Sequence, residues 1–121
     1  MKYSSFYKPL FAEDVKVYAS MKKQIEKKTE SIIENPYHNT ELLEKKGNHD
    51  LRGLRSKRID KNFRIIFAVC EECKRLFPEK EKPCRYCNLD LPEKSIIFFT
   101  VRPHKVVYNE GSEVQWDENV R

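Results

Sequence analysis

Four cysteines in two closely spaced pairs are the feature that most limits how this sequence can fold. Cys70 and Cys73 form the first pair, Cys84 and Cys87 the second, and the chain has no other cysteine. Two residues between the members of a pair is the spacing that lets two thiolates reach one tetrahedral metal ion. The segment between the pairs is highly charged and contains two prolines, so a bound metal would supply cohesion that its few apolar residues cannot.

A structural zinc ion is the metal that this spacing predicts. No signal peptide precedes the cysteines, which indicates a reducing, cytoplasmic compartment where two stable disulfides are not expected. Iron in a rubredoxin-like site is the chemical alternative, and four free thiols would be the simplest one. Four protein sulfurs fill the coordination shell and leave no position for a substrate. We therefore expect the metal to stabilise the fold and the activity to lie elsewhere.

Charge is concentrated in one part of the chain. At 121 residues, the sequence is long enough for one domain with a modest core. No apolar run approaches the ~20 residues that cross a bilayer, so no membrane association is expected. The net charge is +5, yet residues 45–64 alone carry eight basic residues against Asp50 and Asp60. Such a field suits a polyanion, most often nucleic acid, although a solvated charged face is the common alternative. The basic residues are Lys45, Lys46, Arg52, Arg55, Lys57, Arg58, Lys61 and Arg64.

The hydrophobic pattern changes from helical to strand-like along the chain. Apolar residues at helical spacing predict a hairpin of two helices that ends at Asn35-Pro36. Continuous apolar runs at 63–69 and 95–101 predict two central strands. The predicted fold class is α+β: an N-terminal helical hairpin packed on a small antiparallel sheet, with a zinc-ribbon-like insert between two central strands. One domain is predicted at 1–108, with the four-cysteine insert at 70–94 and an acidic C-terminal tail at 109–121.

A group of cations with one imidazole and one phenol carries the candidate chemistry. Alternation places Arg55 and Lys57 on one face of a basic strand, and the other members begin or follow the two long apolar runs. If the three strand segments are neighbours, all six side chains could converge on one concave sheet face. The six are Arg55, Lys57, Arg64, Arg102, His104 and Tyr108.

This combination suits cleavage of a phosphodiester without a metal. Guanidinium groups hold a phosphate and stabilise the charge of its pentavalent transition state. His104 can exchange a proton near neutral pH, and Tyr108 could stack on a base or share in proton transfer. RNA would supply its own nucleophile, the 2′-hydroxyl. Taken singly, a histidine after a proline and a tyrosine after two valines are often structural.

Residues 51–67, LRGLRSKRIDKNFRIIF, resemble the characteristic block of the RelE/ParE toxin superfamily, especially its RelE and YoeB branches. The preceding helix ending in Asn35-Pro36 and the loop after it are also similar. The resemblance extends from about Phe6 to Tyr108 and leaves out the cysteine insert. It implies a small cytoplasmic toxin that cleaves mRNA in the ribosomal A site and is silenced by a cognate antitoxin.

The resemblance assigns roles to the basic strand residues. Arg64 matches the arginine that opens the third strand in both branches. Arg55 and Lys57 fall where RelE-like toxins have two catalytic lysines. Because Arg55 replaces a lysine, it would act only as an electrostatic clamp and not in proton exchange.

The resemblance also assigns roles near the end of the domain and in the loop. Arg102 and Tyr108 keep the spacing of a RelE-like arginine and tyrosine. The order Arg102-Pro-His104 resembles the Arg-x-His near the YoeB C-terminus, which makes His104 the candidate general acid. For the general base of the YoeB branch, Glu41 is the best match and Glu44 competes with it.

The function predicted is therefore that of a toxin from a toxin–antitoxin pair. It would be a metal-independent, ribosome-dependent endoribonuclease that cleaves mRNA by 2′-hydroxyl attack, with mRNA on the ribosome and an acidic antitoxin as partners. A non-catalytic ParE-like inhibitor of DNA gyrase on the same fold is one alternative. A zinc-ribbon adaptor that binds nucleic acid without cleaving it is the other.

Overall fold

The computed structural model describes residues 3–43, 45–46, 49–50, 53–60, 62–76 and 94–103. Strand β1 (Ser4–Tyr7) is followed by helix α1 (Pro9–Val17), a 3₁₀ turn (Ala19–Met21) and helix α2 (Lys22–Glu34). Next come the strands β2 (Glu41–Leu42), β3 (Lys45–Lys46), β4 (His49–Asp50), β5 (Arg55–Arg58) and β6 (Phe63–Val69). Helix α3 (Cys70–Leu76) and strand β7 (Ser95–Pro103) complete the described part of the chain.

The predicted helical hairpin is present, and its ends follow from local sequence. Pro9 occupies the first turn of α1, where the missing N–H of proline costs nothing. Asn35 has extended backbone angles at the C-terminus of α2, because Pro36 disfavours the helical conformation at the residue before it. None of the helices in the described segments is long and apolar enough to span a bilayer.

The main sheet has the strand order β1-β7-β6-β5-β2. The antiparallel pairing predicted for the two long apolar runs, β6 and β7, is confirmed. The wholly antiparallel sheet that we predicted is wrong, since β1 runs parallel to β7, from Ser4 opposite Ser95 to Tyr7 opposite Phe98. These two strands are far apart in sequence, so no tight turn forces them to be antiparallel. Strands β3 and β4 form a separate ribbon.

Two apolar layers cover the two faces of the sheet. On the face under α1 and α2, buried side chains of the central strands, among them Ile65, Phe67 and Phe98, pack against Phe11 and Ile25. On the opposite face, Ile66 and Phe99 pack with other buried residues that include both cysteines of α3. Full burial of one such large side chain contributes about 1.5–3 kcal/mol. The end of this second face that lies away from α3, near Ser56 and Arg64, is called the open face below, and Arg58 is exposed there.

Strand β7 contains a bulge. Phe98 is the partner of Phe67, but the next residue of β6, Ile66, has Thr100 as its partner, which leaves Phe99 as an extra residue. The bulge changes which side chains of β7 share a face, because it interrupts the alternation of the strand.

Candidate functional site

Three arginines lie side by side on the open face. Arg58 of β5 is the cross-strand partner of Arg64 of β6, which in turn is the partner of Arg102 of β7. Directly opposed residues have Cβ atoms about 4.5–5.5 Å apart, and like charges in such positions repel. These three residues, the arginine row, therefore favour the binding of an anion such as a phosphodiester.

Arg64 is held in place by two neighbours on the same face. Its Nη1 donates hydrogen bonds to Glu41 Oε1 at 3.0 Å and to Ser56 Oγ at 3.3 Å. The side chain of Arg64 is 12% exposed, whereas that of Glu41 is 69% exposed. The structure thus brings together the predicted phosphate-binding arginine and the predicted general base, with the carboxylate largely exposed to solvent.

Arg55 lies on the other face of the sheet, as the partner of Phe67. Its Nε and Nη2 both donate to the carboxylate of Glu72 at 2.8 Å, and its Nη1 donates to Thr40 Oγ1 at 3.1 Å. The guanidinium carbon also lies 4.8 Å from the ring centre of Tyr37. This guanidinium is engaged by protein groups on several sides.

Lys57 also lies on the helix-covered face, as the partner of Ile65. It is 5% exposed, and its Nζ donates to the carbonyl of His38 at 3.3 Å. Burial, and to a smaller extent the charge of Lys28, lowers the pKa of Lys57. The expectation that Arg55 and Lys57 converge with Arg64 on one face is therefore wrong.

The register of β5 against β6 explains the error. Antiparallel partners point to the same side of a sheet, and the partner of Arg64 is Arg58. Arg58 and Ser56 are the residues that the sequence reasoning missed. Alternation along β5, combined with the short turn that joins it to β6, is the signal that could have identified them.

Several predicted site residues lie outside the described residues. They include His104, which follows Pro103 at the described end of β7, and Tyr108. Glu44, which competes with Glu41 as the base, is another. The same holds for Arg52 and Lys61 of the basic stretch and for the acidic tail at 109–121.

The first cysteine pair lies on α3 and is buried in the second apolar layer. Cys70 and Cys73 are three residues apart on a helix, so their side chains lie on the same side, and the pair fits half of a tetrahedral thiolate site. The Cys73 thiol donates to the carbonyl of Gly53, with a Sγ to O distance of 3.4 Å. A zinc-bound thiolate has no proton, so zinc would replace this bond. Cys84 and Cys87 are not among the described residues, and within those residues no three potential ligands cluster.

The two glutamates between these cysteines connect α3 to the rest of the molecule. While Glu72 binds Arg55, Glu71 Oε2 accepts hydrogen bonds from the hydroxyls of Tyr37 at 2.7 Å and Tyr3 at 2.8 Å. Burial and the neighbouring carboxylate raise the pKa of both tyrosines. Burial alone would raise the pKa of Glu71, but the two phenols and nearby cations lower it below its usual value.

Solved structures of bacterial toxins share this architecture. The toxin–antitoxin complex RelBE2 from Mycobacterium tuberculosis matches with a TM-score of 0.55 and 11% identity, over 86% of this chain and all of the other. This protein has the fold of these toxins. The YoeB/ParE toxin from Agrobacterium tumefaciens matches with the same TM-score and 16% identity, over 84% of this chain and 98% of the toxin.

YafQ from E. coli matches this toxin fold as well, with a TM-score of 0.55 and 12% identity, over 88% of this chain and 99% of YafQ. The toxins are matched over nearly their whole length, so this chain carries residues in addition to the shared toxin fold. No protein-family model and no curated protein matches the sequence. At these identities the likeness establishes the fold alone.

Proposed function

We propose that this protein is the toxin of a toxin–antitoxin pair and that it cleaves mRNA on the ribosome. The observation that carries the proposal is the arginine row on the open face, with Glu41 placed 3.0 Å from Arg64. A row of cations beside an exposed carboxylate supplies both a phosphate-binding surface and a proton acceptor. The fold shared with RelBE2, YoeB/ParE and YafQ supports the toxin role.

Arg64 holds the scissile phosphate in this proposal. Its guanidinium is oriented by Ser56 and needs little reorganisation when charge develops on the non-bridging oxygens of the transition state. Arg58 and Arg102 on either side share that charge or bind the neighbouring phosphates. Arg64 is therefore already oriented for the transition state, and Arg58 and Arg102 lie beside it in the sheet register.

Proton transfer is assigned to Glu41 and His104. When the phosphate takes the place of the Glu41 carboxylate on Arg64, Glu41 is released to accept the proton of the 2′-hydroxyl. The 2′-oxygen then attacks phosphorus, and His104 donates a proton to the departing 5′-oxygen. The products are a 2′,3′-cyclic phosphate and a 5′-hydroxyl, with Tyr108 stacking on an adjacent base.

Arg55 and Lys57 support the site from the other face instead of contacting RNA. Arg55 holds Thr40, the residue before Glu41, and Lys57 holds the carbonyl of His38. Both contacts fix the segment that leads into β2. Arg55 and Lys57 therefore have a supporting role in this proposal instead of the direct catalytic role that the resemblance implied.

Substitution of the phosphate-binding arginine and the proposed acid tests the function. Arg64→Ala and His104→Ala should each slow cleavage of ribosome-bound mRNA by about 10²- to 10³-fold, because each removes one electrostatic or acid–base contributor. Primer extension measures the rate of cleavage. The chemical reactivity of the product ends shows whether they carry a 2′,3′-cyclic phosphate and a 5′-hydroxyl. Arg75→Ala, which removes an exposed arginine of α3, is the matched control and should cleave normally. Arg64→Ala cutting at the parental rate would contradict the assigned site.

A non-catalytic inhibitor on the same fold is the second candidate. It is favoured by the likeness to a protein described as a YoeB/ParE toxin. In that case the parent protein inhibits growth but leaves ribosome-bound mRNA intact. Failure of cleavage together with loss of growth inhibition in Arg64→Ala would favour this reading.

We also propose a structural zinc ion bound by all four cysteines, of which Cys70 and Cys73 are the described half. Cys84→Ser should remove zinc from the purified protein and lower Tm by about 5 °C for each kcal/mol of stability lost. Metal content is measured by mass spectrometry and Tm by circular dichroism. Tyr86→Phe, which keeps all four thiols, is the control and should retain zinc. Protein purified without chelator that contains neither zinc nor iron would overturn the metal assignment.

A further inference from the structure

Arg102 reaches the arginine row only because of the bulge in β7. Ile96 and Phe98 both point into the apolar layer under the helices. Strict alternation would continue that face to residues 100 and 102. Instead Val101 lies in the helix-side layer, and Arg102 is the partner of Arg64 on the open face. The extra residue at Phe99 therefore determines the face on which Arg102 lies.

Asp14 of α1 is bound to the backbone and side chain at this bulge. It is 6% exposed, and its Oδ2 accepts the Val101 N–H at 3.0 Å and the hydroxyl of Thr100. Strand β1 ends its pairing at Phe98, three residues before Val101. The carboxylate of Asp14 thus acts at a position along β7 that lies beyond the last residue paired with β1.

Asp14 is a buried carboxylate whose hydrogen bonds go to the bulge of β7. A buried carboxylate is costly unless hydrogen bonds compensate for its lost hydration. Burial raises the pKa of Asp14, and the opposing effects of Thr100, Val101 and the nearby charge of Arg102 only partly reduce this increase. An apolar residue would pack at this position without such a cost, but it could not accept the two hydrogen bonds at the bulge.

We propose that Asp14 is a positioning residue, which holds the bulge of β7 and so directs Arg102 into the arginine row. The consequence for RNA cleavage rests on the proposed function, whereas the consequence for the register of β7 does not. Bulges beside active sites commonly redirect a side chain in this way.

The structural half of the proposal is tested by NMR on Asp14→Ala and Asp14→Asn. The asparagine keeps a carbonyl oxygen that can accept both hydrogen bonds, so it separates the hydrogen bonds of Asp14 from its charge. We expect the cross-strand NOE between the backbone protons of Arg64 and Arg102 in the parent and in Asp14→Asn, and its loss in Asp14→Ala. An NOE that persists in folded Asp14→Ala overturns the proposal, whether or not the protein cleaves RNA.

The functional half is tested with a single-stranded RNA oligonucleotide and with ribosome-bound mRNA. Loss of one phosphate contact lowers the slope of log K against log salt by about 0.7 for a single strand. Asp14→Ala should show the same reduction as Arg102→Ala, and the double variant should cleave no more slowly than Arg102→Ala alone. Asp14→Asn should keep the parental salt slope of RNA binding and the parental cleavage rate. Additive losses of the cleavage rate in the double variant overturn the proposal, because they show that Asp14 does not act through Arg102.

Thr100→Val covers the case in which Asp14→Ala does not fold. Valine has nearly the shape of threonine but removes one of the two hydrogen bonds to Asp14. A slower cleavage that disappears in the Arg102→Ala background supports the proposal. A parental rate, or a loss that adds to that of Arg102→Ala, overturns it. A parent that binds and cleaves no RNA contradicts the proposed function and leaves the NMR result to decide the role of Asp14.

Discussion

At Arg64, the guanidinium group already has a carboxylate partner, Glu41, before any substrate binds. The pair is unequal, since Arg64 is mostly buried by the sheet and Glu41 is mostly exposed. The carboxylate side of the pair lies in solvent, where an ion pair contributes little to stability, about 0–1 kcal/mol, so a phosphate can displace Glu41 from Arg64 at small cost. In the proposed reaction this displacement also frees the general base.

Glu41→Ala should therefore separate RNA binding from RNA cleavage. Removal of the competing carboxylate should strengthen RNA binding by roughly two- to fivefold, the equivalent of a surface charge contact. The single-turnover cleavage rate should fall by about 10²- to 10⁴-fold, because the proton acceptor is lost. Fluorescence anisotropy gives the affinity and quenched-flow gives the rate. Glu26→Ala, which removes an exposed carboxylate of α2, should change neither, and a parental rate in Glu41→Ala would exclude Glu41 as the base.

Helix α3, which carries the first cysteine pair, is bonded to the segment that leads into β2 through Tyr37 and Arg55. Glu71 binds Tyr3 and Tyr37, while Glu72 binds Arg55, which in turn holds Thr40, the residue before the proposed general base. The helix is short, and side-chain bonds to distant segments fix its position. Any change in the cysteine segment that shifts α3 would therefore act directly on the loop that precedes β2.

The pair of Arg55 and Glu72 should behave as a buried ion pair, since its side chains are only 15% and 5% exposed. Glu72→Ala leaves Arg55 with an uncompensated charge and should lower the free energy of unfolding by about 3–5 kcal/mol. The double replacement Arg55→Met with Glu72→Leu should cost much less, because no charge remains buried. Urea unfolding measures both. Equal losses of unfolding free energy in the single and double variants would show that an unpaired Arg55 charge is not what destabilises Glu72→Ala.

The helices and the two long strands could be predicted because their signals are local. Pro36 ends α2, and the apolar runs of β6 and β7 need no knowledge of their neighbours. The faces of the basic residues depend in addition on the turn between β5 and β6, which alternation alone does not specify. The side chain of Asp60 accepts the N–H groups of Asn62 and Phe63, and this turn sets the register that pairs Arg64 with Arg58. The position of Arg102 depends on a bulge that is stabilised by a residue on a distant helix.

Within the described part of the chain, two surfaces could receive a protein partner. One is the open face with the arginine row. The other is an open, largely apolar groove of about 700 Å³ along α1 and α2, whose lining includes Tyr7, Val15 and Ile33. RelBE2 and the DinJ–YafQ complex are toxins bound to antitoxins. In the proposed toxin–antitoxin pair, an acidic antitoxin would cover the arginine row of this protein.

The complex with that antitoxin should weaken as salt is added. Screening shortens the range of charge interactions from about 10 Å at 0.1 M salt to about 3 Å at 1 M, so the dissociation constant should rise steeply over this interval. Calorimetry at several salt concentrations measures it. Arg58→Ala should flatten the dependence, with Arg75→Ala as the matched control. A dissociation constant that is insensitive to salt but rises in Val15→Asp would assign the antitoxin to the apolar groove instead.

The interior position of β7 has a consequence for the stage of synthesis at which the sheet can form. The sheet places β7 between β1 and β6, although β1 is near the start of the chain and β7 ends at Pro103. A nascent chain emerges from its N-terminus, so β1 and β6 have no strand to join them until β7 has been synthesised. The same strand carries Arg102. The growing polypeptide therefore acquires its completed sheet and its full arginine row in one step, and a chain interrupted before that step has neither.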